Sequence, residues 1–115
     1  MIFTILGEPC SKSNSRIMIV NKGKRRCIKG KNAQNYVAGF LWQARALQLP
    51  CLQGNVAMTC NIYYTSYRKD LDESLVMDCL QKAGILKNDR QIKEKHIYHC
   101  IDKAAPRARI ELYCL

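Results

Sequence analysis

The stretch NVAMTCNIYY, Asn55 to Tyr64, decides the fold, together with the residues that follow it. Val56, Met58, Cys60, Ile62 and Tyr64 fall at every second position, so an extended chain turns all five toward one face, the pattern of a core strand. The strand points directly at Arg68 to Asp72. Beyond it, Glu73 to Ala83 carries Leu75, Val76, Cys79 and Leu80 at helical spacing and stops at Gly84, a residue suited to the position just past a helix end. Asn88, Asp89 and Arg90 then make a polar turn.

Working outward, Ile2 to Leu6 reads as a first strand ended by Gly7 and Pro9, and Ser11 to Ser15 as a polar loop. Arg16 to Val20 and Arg25 to Ile28 flank a turn at Asn21 to Lys24, which predicts a basic hairpin. From Lys31 to Leu49, Val37, Phe40, Leu41, Ala44 and Leu47 recur at three- and four-residue steps, an amphipathic helix ended by Pro50. Two last strands are expected at Ile97 to Ile101 and Arg107 to Tyr113, around a turn at Asp102 to Pro106. With 115 residues there is one core to build. The expectation is a single α+β domain over residues 1 to 115, a mixed β-sheet covered by two main helices.

Charge narrows the function. Lys and Arg number 19 against 9 Asp and Glu, a net charge of +10 that favours a polyanion, nucleic acid above all. The basic residues do not line one face of a long amphipathic helix, which argues against a membrane surface. Lys12, Arg16, Lys22, Lys24, Arg25, Arg26, Lys29 and Lys31 crowd the first 31 residues beside a single acid, Glu8. Asp70, Asp72, Glu73, Asp78 and Asp89 form an acidic focus in an otherwise basic chain. A basic surface with such a focus suits an enzyme that holds phosphates and a divalent cation.

The seven cysteines are odd in number, no secretory leader precedes them, and no pair makes a Cys-x-x-Cys unit. They read as reduced thiols of a cytoplasmic protein rather than a disulfide scaffold or a zinc site. His96 and His99 read as ordinary strand histidines. Tyr63, Tyr64 and Tyr67 read mostly as packing, with Tyr64 in the core.

Asp70 and Asp72, two apart at a strand end, put both carboxylates on one side if the chain is still extended there. Carboxylates held that close repel unless a cation lies between them, and magnesium is the usual hard ion where phosphate reacts. Asp89, returned by the helix and turn, is expected beside the strand end as a third ligand. The same residues also suit a plain helix start, since acids there favour the dipole, and Asp78 reads as a solvated acid of that helix.

Read in order, Gly7-Glu-Pro, Ser11-Lys-Ser-Asn14, Asp70-Leu-Asp72, Asp78-Cys-Leu-Gln-Lys-Ala-Gly-Ile85, Asn88-Asp-Arg-Gln-Ile92 and a last strand after Pro106-Arg107 resemble the RusA family of crossover junction endodeoxyribonucleases. The resemblance covers most of the chain and is most specific from Asp70 to Ile92. It implies a homodimeric, magnesium-dependent nuclease, with manganese as an alternative ion, that resolves four-way DNA junctions in recombination and repair and is often carried by prophages. Asp70, Asp72 and Asp89 would be its catalytic and metal-binding acids, and Asp78, Lys87 and Asn88 accessory positions. Lys12, Arg16, Lys22, Lys24, Arg25, Arg26, Lys29 and Lys69 would hold DNA phosphates, which position a duplex without reading it.

The chain departs from the family pattern. Asp72 is followed by Glu73 where the family has Asn, Asp72 to Asp78 is two residues short, and the family's helix lysine has no counterpart. Read without a gap, Asp70 takes the second aspartate's place and Arg68 the first; Asp70 and Asp89 are retained either way. Lys12, Lys69 or Lys87 would have to supply the missing cation near the phosphate. Cleavage would leave 5′ phosphate and 3′ hydroxyl ends. The rival readings are a protein of this fold that binds branched DNA without cutting it, and an accessory subunit that docks RNA.

Overall fold

A computed structural model describes residues 1–11, 16–21 and 24–115, the side chains of 12–29 excepted. Its elements are β1 (Ile2–Leu6), β2 (Arg16–Asn21), β3 (Lys24–Lys29), α1 (Lys31–Leu47), β4 (Val56–Tyr64), α2 (Ser74–Lys82), a 3-10 turn (Asp89–Gln91), β5 (Ile92–Ile101) and β6 (Arg107–Cys114). Four strands form one sheet in the order β1-β6-β4-β5, and β2 pairs with β3 alone in an antiparallel hairpin. Within the sheet β4 runs parallel to β5 and antiparallel to β6, so the sheet is mixed and the class α+β. No helix among the described residues is long and apolar enough to cross a membrane.

Alternation builds the core. Val56, Met58, Cys60, Ile62 and Tyr64 of β4 are buried together, joined by Phe3 and Ile5 of β1 and by Ala108, Ile110 and Leu112 of β6. The face they make is covered by Tyr36, Val37 and Phe40 of α1 and by Leu75, Val76, Cys79 and Leu80 of α2. Each large apolar side chain buried in this way contributes roughly 1.5–3 kcal/mol of transfer free energy.

Helix α2 ends as its sequence demands. Gly84 adopts φ +78°, its amide donates to the Gln81 carbonyl and the Ile85 amide to that of Leu80, which closes the last turn with Ile85 folded into the core. At the other sheet end Gly7, with φ +114°, turns the chain out of β1 above the Tyr36 ring, 3.6 Å from where a Cβ would stand. One edge of β1 is obstructed by a side chain. Gln43 of α1 accepts from the Leu6 amide at 2.7 Å and donates to the Leu6 carbonyl at 3.0 Å, the two bonds a neighbouring strand would make.

One strand is longer than its sequence suggests. β5 starts at Ile92 rather than Ile97, and its first half, Lys93 to His96, is exposed throughout. It carries no apolar alternation because it is an edge strand that buries neither face there, so its backbone pairing with β4 alone defines it. The ends of α1, β4 and α2 shift by one or two residues.

Candidate active site

The acids follow from the β4–α2–β5 crossover. After Tyr64 the chain curls back over the sheet, and three contacts hold the returning segment. The Asp72 amide donates to the Tyr64 hydroxyl at 3.2 Å, the Lys69 carbonyl accepts from His99 Nε2 at 2.9 Å, and the Arg68 amide donates to Ser66 Oγ at 3.1 Å. Burial, more than any neighbour, pushes the Tyr64 phenol above its ordinary range, which keeps it protonated.

Asp70 is exposed and lines an open cleft of about 550 Å³ between this segment, the loop after β1 and the first turns of α1. Glu8, Arg68, Lys69, Asn32 and Asn35 share its wall. Glu8 accepts from the Thr65 amide at 3.3 Å and faces Lys69 Nζ at 3.6 Å. Of the three lysines named as substitutes for the missing helix cation, Lys69 stands in the cleft with Asp70. Lys87 is exposed near Asp89, and Lys12 lies outside the described residues.

Asp72 begins α2 in the way the plain reading allowed: its Oδ1 accepts the Ser74 amide at 2.9 Å. The expectation for Asp89 is corrected by the topology. Because β5 is parallel to β4, the crossover returns the chain to the level where β4 begins, with Ile92 opposite Val56, and not to the strand end near Asp70. The Asp89 amide donates to Gln81 Oε1 at 3.2 Å, at the far end of α2 from Ser74. Seven residues of helix, about 10 Å along the axis, separate the two ends. Among the described residues no three His, Cys, Asp or Glu side chains come together as a metal-binding group.

The accessory positions have structural work. Asn88 Oδ1 accepts the Arg90 amide, and Gln91 Oε1 accepts the amides of Lys87 and Asn88 while its Nε2 donates to the carbonyls of Leu52 and Gly54. Asp78 is half-buried on α2 and does not line the cleft. Of the tyrosines, Tyr64 is core as expected, Tyr63 lies under the Arg107 guanidinium at 3.9 Å, and Tyr67 is 80% exposed, less packed than its setting suggested.

The hairpin of basic residues exists as β2 and β3, with Arg16 opposite Lys29, Ile19 opposite Arg26, Val20 opposite Arg25 and Asn21 opposite Lys24. Lys22, between the two strands in sequence, lies outside the described residues.

A comparison with family models matches residues 7–113 to the model described as endodeoxyribonuclease RusA. The chain belongs to the RusA family. The match takes in the hairpin, both helices and the strands β4, β5 and nearly all of β6, and it makes the protein a member of an endodeoxyribonuclease family. Comparison with curated proteins finds no match.

Sequence reasoning passed over two residues near the cleft. Glu8 had one signal, as the only acid among the first 31 residues, set between Gly7 and Pro9. His99 had none, since its contact with Lys69 crosses 30 positions.

Proposed function

We propose that this chain is a divalent-metal-dependent endonuclease that cuts four-way DNA junctions as a two-fold dimer, placing paired nicks that leave 5′ phosphate and 3′ hydroxyl ends. The observation that carries the reading is Asp70, exposed on the wall of an open cleft beside Lys69 and Arg68, in a chain of net charge +10 matched almost end to end by a nuclease family. Carboxylates are hard oxygen donors, so the donor chemistry of Asp70, Asp72 and Asp89 suits magnesium or manganese. A bound ion of this kind supplies Lewis acidity at the phosphate and a more acidic water.

One copy does not assemble the three acids, because Asp89 and Asp72 lie at opposite ends of α2. A two-fold axis across α2 and β5 reverses ends, and it brings the partner's Asp89 toward Asp70 and Asp72, making two equivalent sites. A junction has approximate two-fold symmetry of its own, so paired sites match paired strands. Lys69 serves as the cation toward the phosphate, with Glu8 holding it to the cleft wall, and the β2–β3 hairpin grips flanking phosphates. With DNA as substrate, the reading puts the protein in the cytoplasm of a bacterium, encoded by the host or by a phage.

The test is cleavage of a labelled synthetic four-way junction against a matched linear duplex, with and without magnesium, for wild type and Asp70→Asn. Magnesium-dependent paired nicking that disappears in the variant is the expected result. Tight junction binding with no nicking in either protein favours the second reading, a binding module. That reading draws on the Asp72 carboxylate, already engaged by the Ser74 amide.

A further inference from the structure

Two stacked rings from neighbouring strands lie where the Asp70–Asp72 segment meets the sheet. Tyr64 ends β4 and His99 lies on β5, opposite Ile62; their ring centroids are 4.6 Å apart with planes at 29°. Tyr67, from the segment itself, also stacks on His99 at 5.7 Å and 15°. Tyr64 and His99 each make one polar contact with the segment, and the two contacts bracket Asp70. His99 Nε2 meets the Lys69 carbonyl just before it, and the Tyr64 hydroxyl meets the Asp72 amide just after it.

The hydrogen-bond chemistry shows that His99 is more than packing. A carbonyl only accepts, so Nε2 carries the hydrogen, and in the neutral ring Nδ1 is left as an acceptor. Nδ1 is buried with no hydrogen-bond partner among the described residues. A phenylalanine would fill the same stack and leave no such atom, so the contact a histidine adds here is the one to Lys69.

We propose that His99 and Tyr64 are positioning residues that fix the Asp70–Asp72 segment to the sheet, so that the carboxylates are held in place before substrate or metal arrives. The catalytic half of this rests on the nuclease reading above; the structural half does not. A loop anchored at both shoulders to a strand pair keeps its side chains within the narrow tolerance that in-line phosphate chemistry needs.

The test uses the full chain as wild type, His99→Phe, His99→Gln and Tyr64→Phe. Hydrogen exchange of the amides of residues 66–72 is followed without metal, beside thermal melts and junction cleavage resolved into kcat and KM. In His99→Phe the segment is expected to exchange about tenfold faster while β4 amides stay protected. If wild type cleaves, kcat falls about 100-fold with KM little changed. His99→Gln, whose side-chain amide donates to the same carbonyl, recovers most of both. Tyr64→Phe loses the bond to Asp72 and repeats the effect should His99→Phe fold poorly. Unchanged exchange in both Phe variants overturns the proposal, as does faster exchange with an unchanged kcat. A wild type that does not cleave sinks the nuclease reading alone, and the exchange rates still decide whether the pair anchors the segment.

Discussion

Asp72 and Asp89 stand at opposite ends of α2. The first accepts the Ser74 amide at the helix start, and the amide of the second donates to Gln81 Oε1 at the helix end. If activity needs both carboxylates, a single copy is deficient, and mixed subunits reveal it. Asp70→Asn and Asp89→Asn are each expected to abolish nicking. Mixed and allowed to exchange, they regenerate one intact site per heterodimer if the acids meet across the two-fold, which gives single nicks instead of paired ones. No recovery on mixing would mean that each site is built within one chain.

The hairpin predicts a salt signature. Replacing Lys24, Arg25 and Arg26 by Ala is expected to weaken junction and duplex binding alike. The slope of log K against log salt should fall by about 0.9 for each DNA phosphate that the variant no longer neutralises. A slope equal to that of wild type, measured by fluorescence anisotropy, would remove β2–β3 from the DNA-binding surface.

Gln91 accepts two amides within the turn that carries Asp89 and ties that turn to the segment before β4 through two bonds to the carbonyls of Leu52 and Gly54. Gln91→Ala leaves those groups to water or to one another and is expected to cost about 2 kcal/mol in urea unfolding. A midpoint unchanged from wild type would show the turn to be held by other contacts.

The thiols separate by burial. Burial pushes Cys60 up to about 12, with Glu73 adding to it, and Cys79 is equally enclosed, whereas Cys51 and Cys114 are exposed. Native protein treated with iodoacetamide should label Cys51 and Cys114 first, and Cys60 and Cys79 only on unfolding, as read by peptide mass mapping. Labelling of Cys60 at the rate of Cys51 would contradict the packing of β4 under α2.

Acid stability has a defined contributor. The Arg107 guanidinium, 2.7 Å from Asp102, and the amides of Ala104 and Ala105 hold the Asp102 carboxyl below its ordinary value of 3.8. A lowered folded-state pKa stabilises above the unfolded value, and that contribution is lost as pH falls through the folded one. Wild type should therefore lose more Tm than Asp102→Asn between about pH 5 and about pH 2. Equal losses would show the pair to be screened by solvent.

Legibility followed distance along the chain. β4 and α2 were readable because one buries alternate residues and the other a 3-4 stripe. The first half of β5 was not, because an edge strand exposed on both faces leaves no period to detect. Asp70 and Asp72 stood out as a local pattern, and Asp89 was found as a residue but set at the wrong end of the sheet, since a crossover's direction is a property of strand pairing. Glu8, 57 positions from the amide it accepts, and His99, 30 from its carbonyl, become visible only when the chain is folded.

The Gln43 amide that occupies Leu6 has a consequence for how copies of this chain can accumulate. With a side chain parked on the β1 margin, the sheet offers its open hydrogen-bonding groups at the β5 margin, where no strand lies beyond among the described residues. A structure able to extend at both margins propagates without limit, whereas one with a single free margin is satisfied by the first copy that meets it through the same margin, about a two-fold axis. The glutamine thus removes the Leu6 groups from those that another strand could pair, and works against edge-to-edge growth at that end of β1.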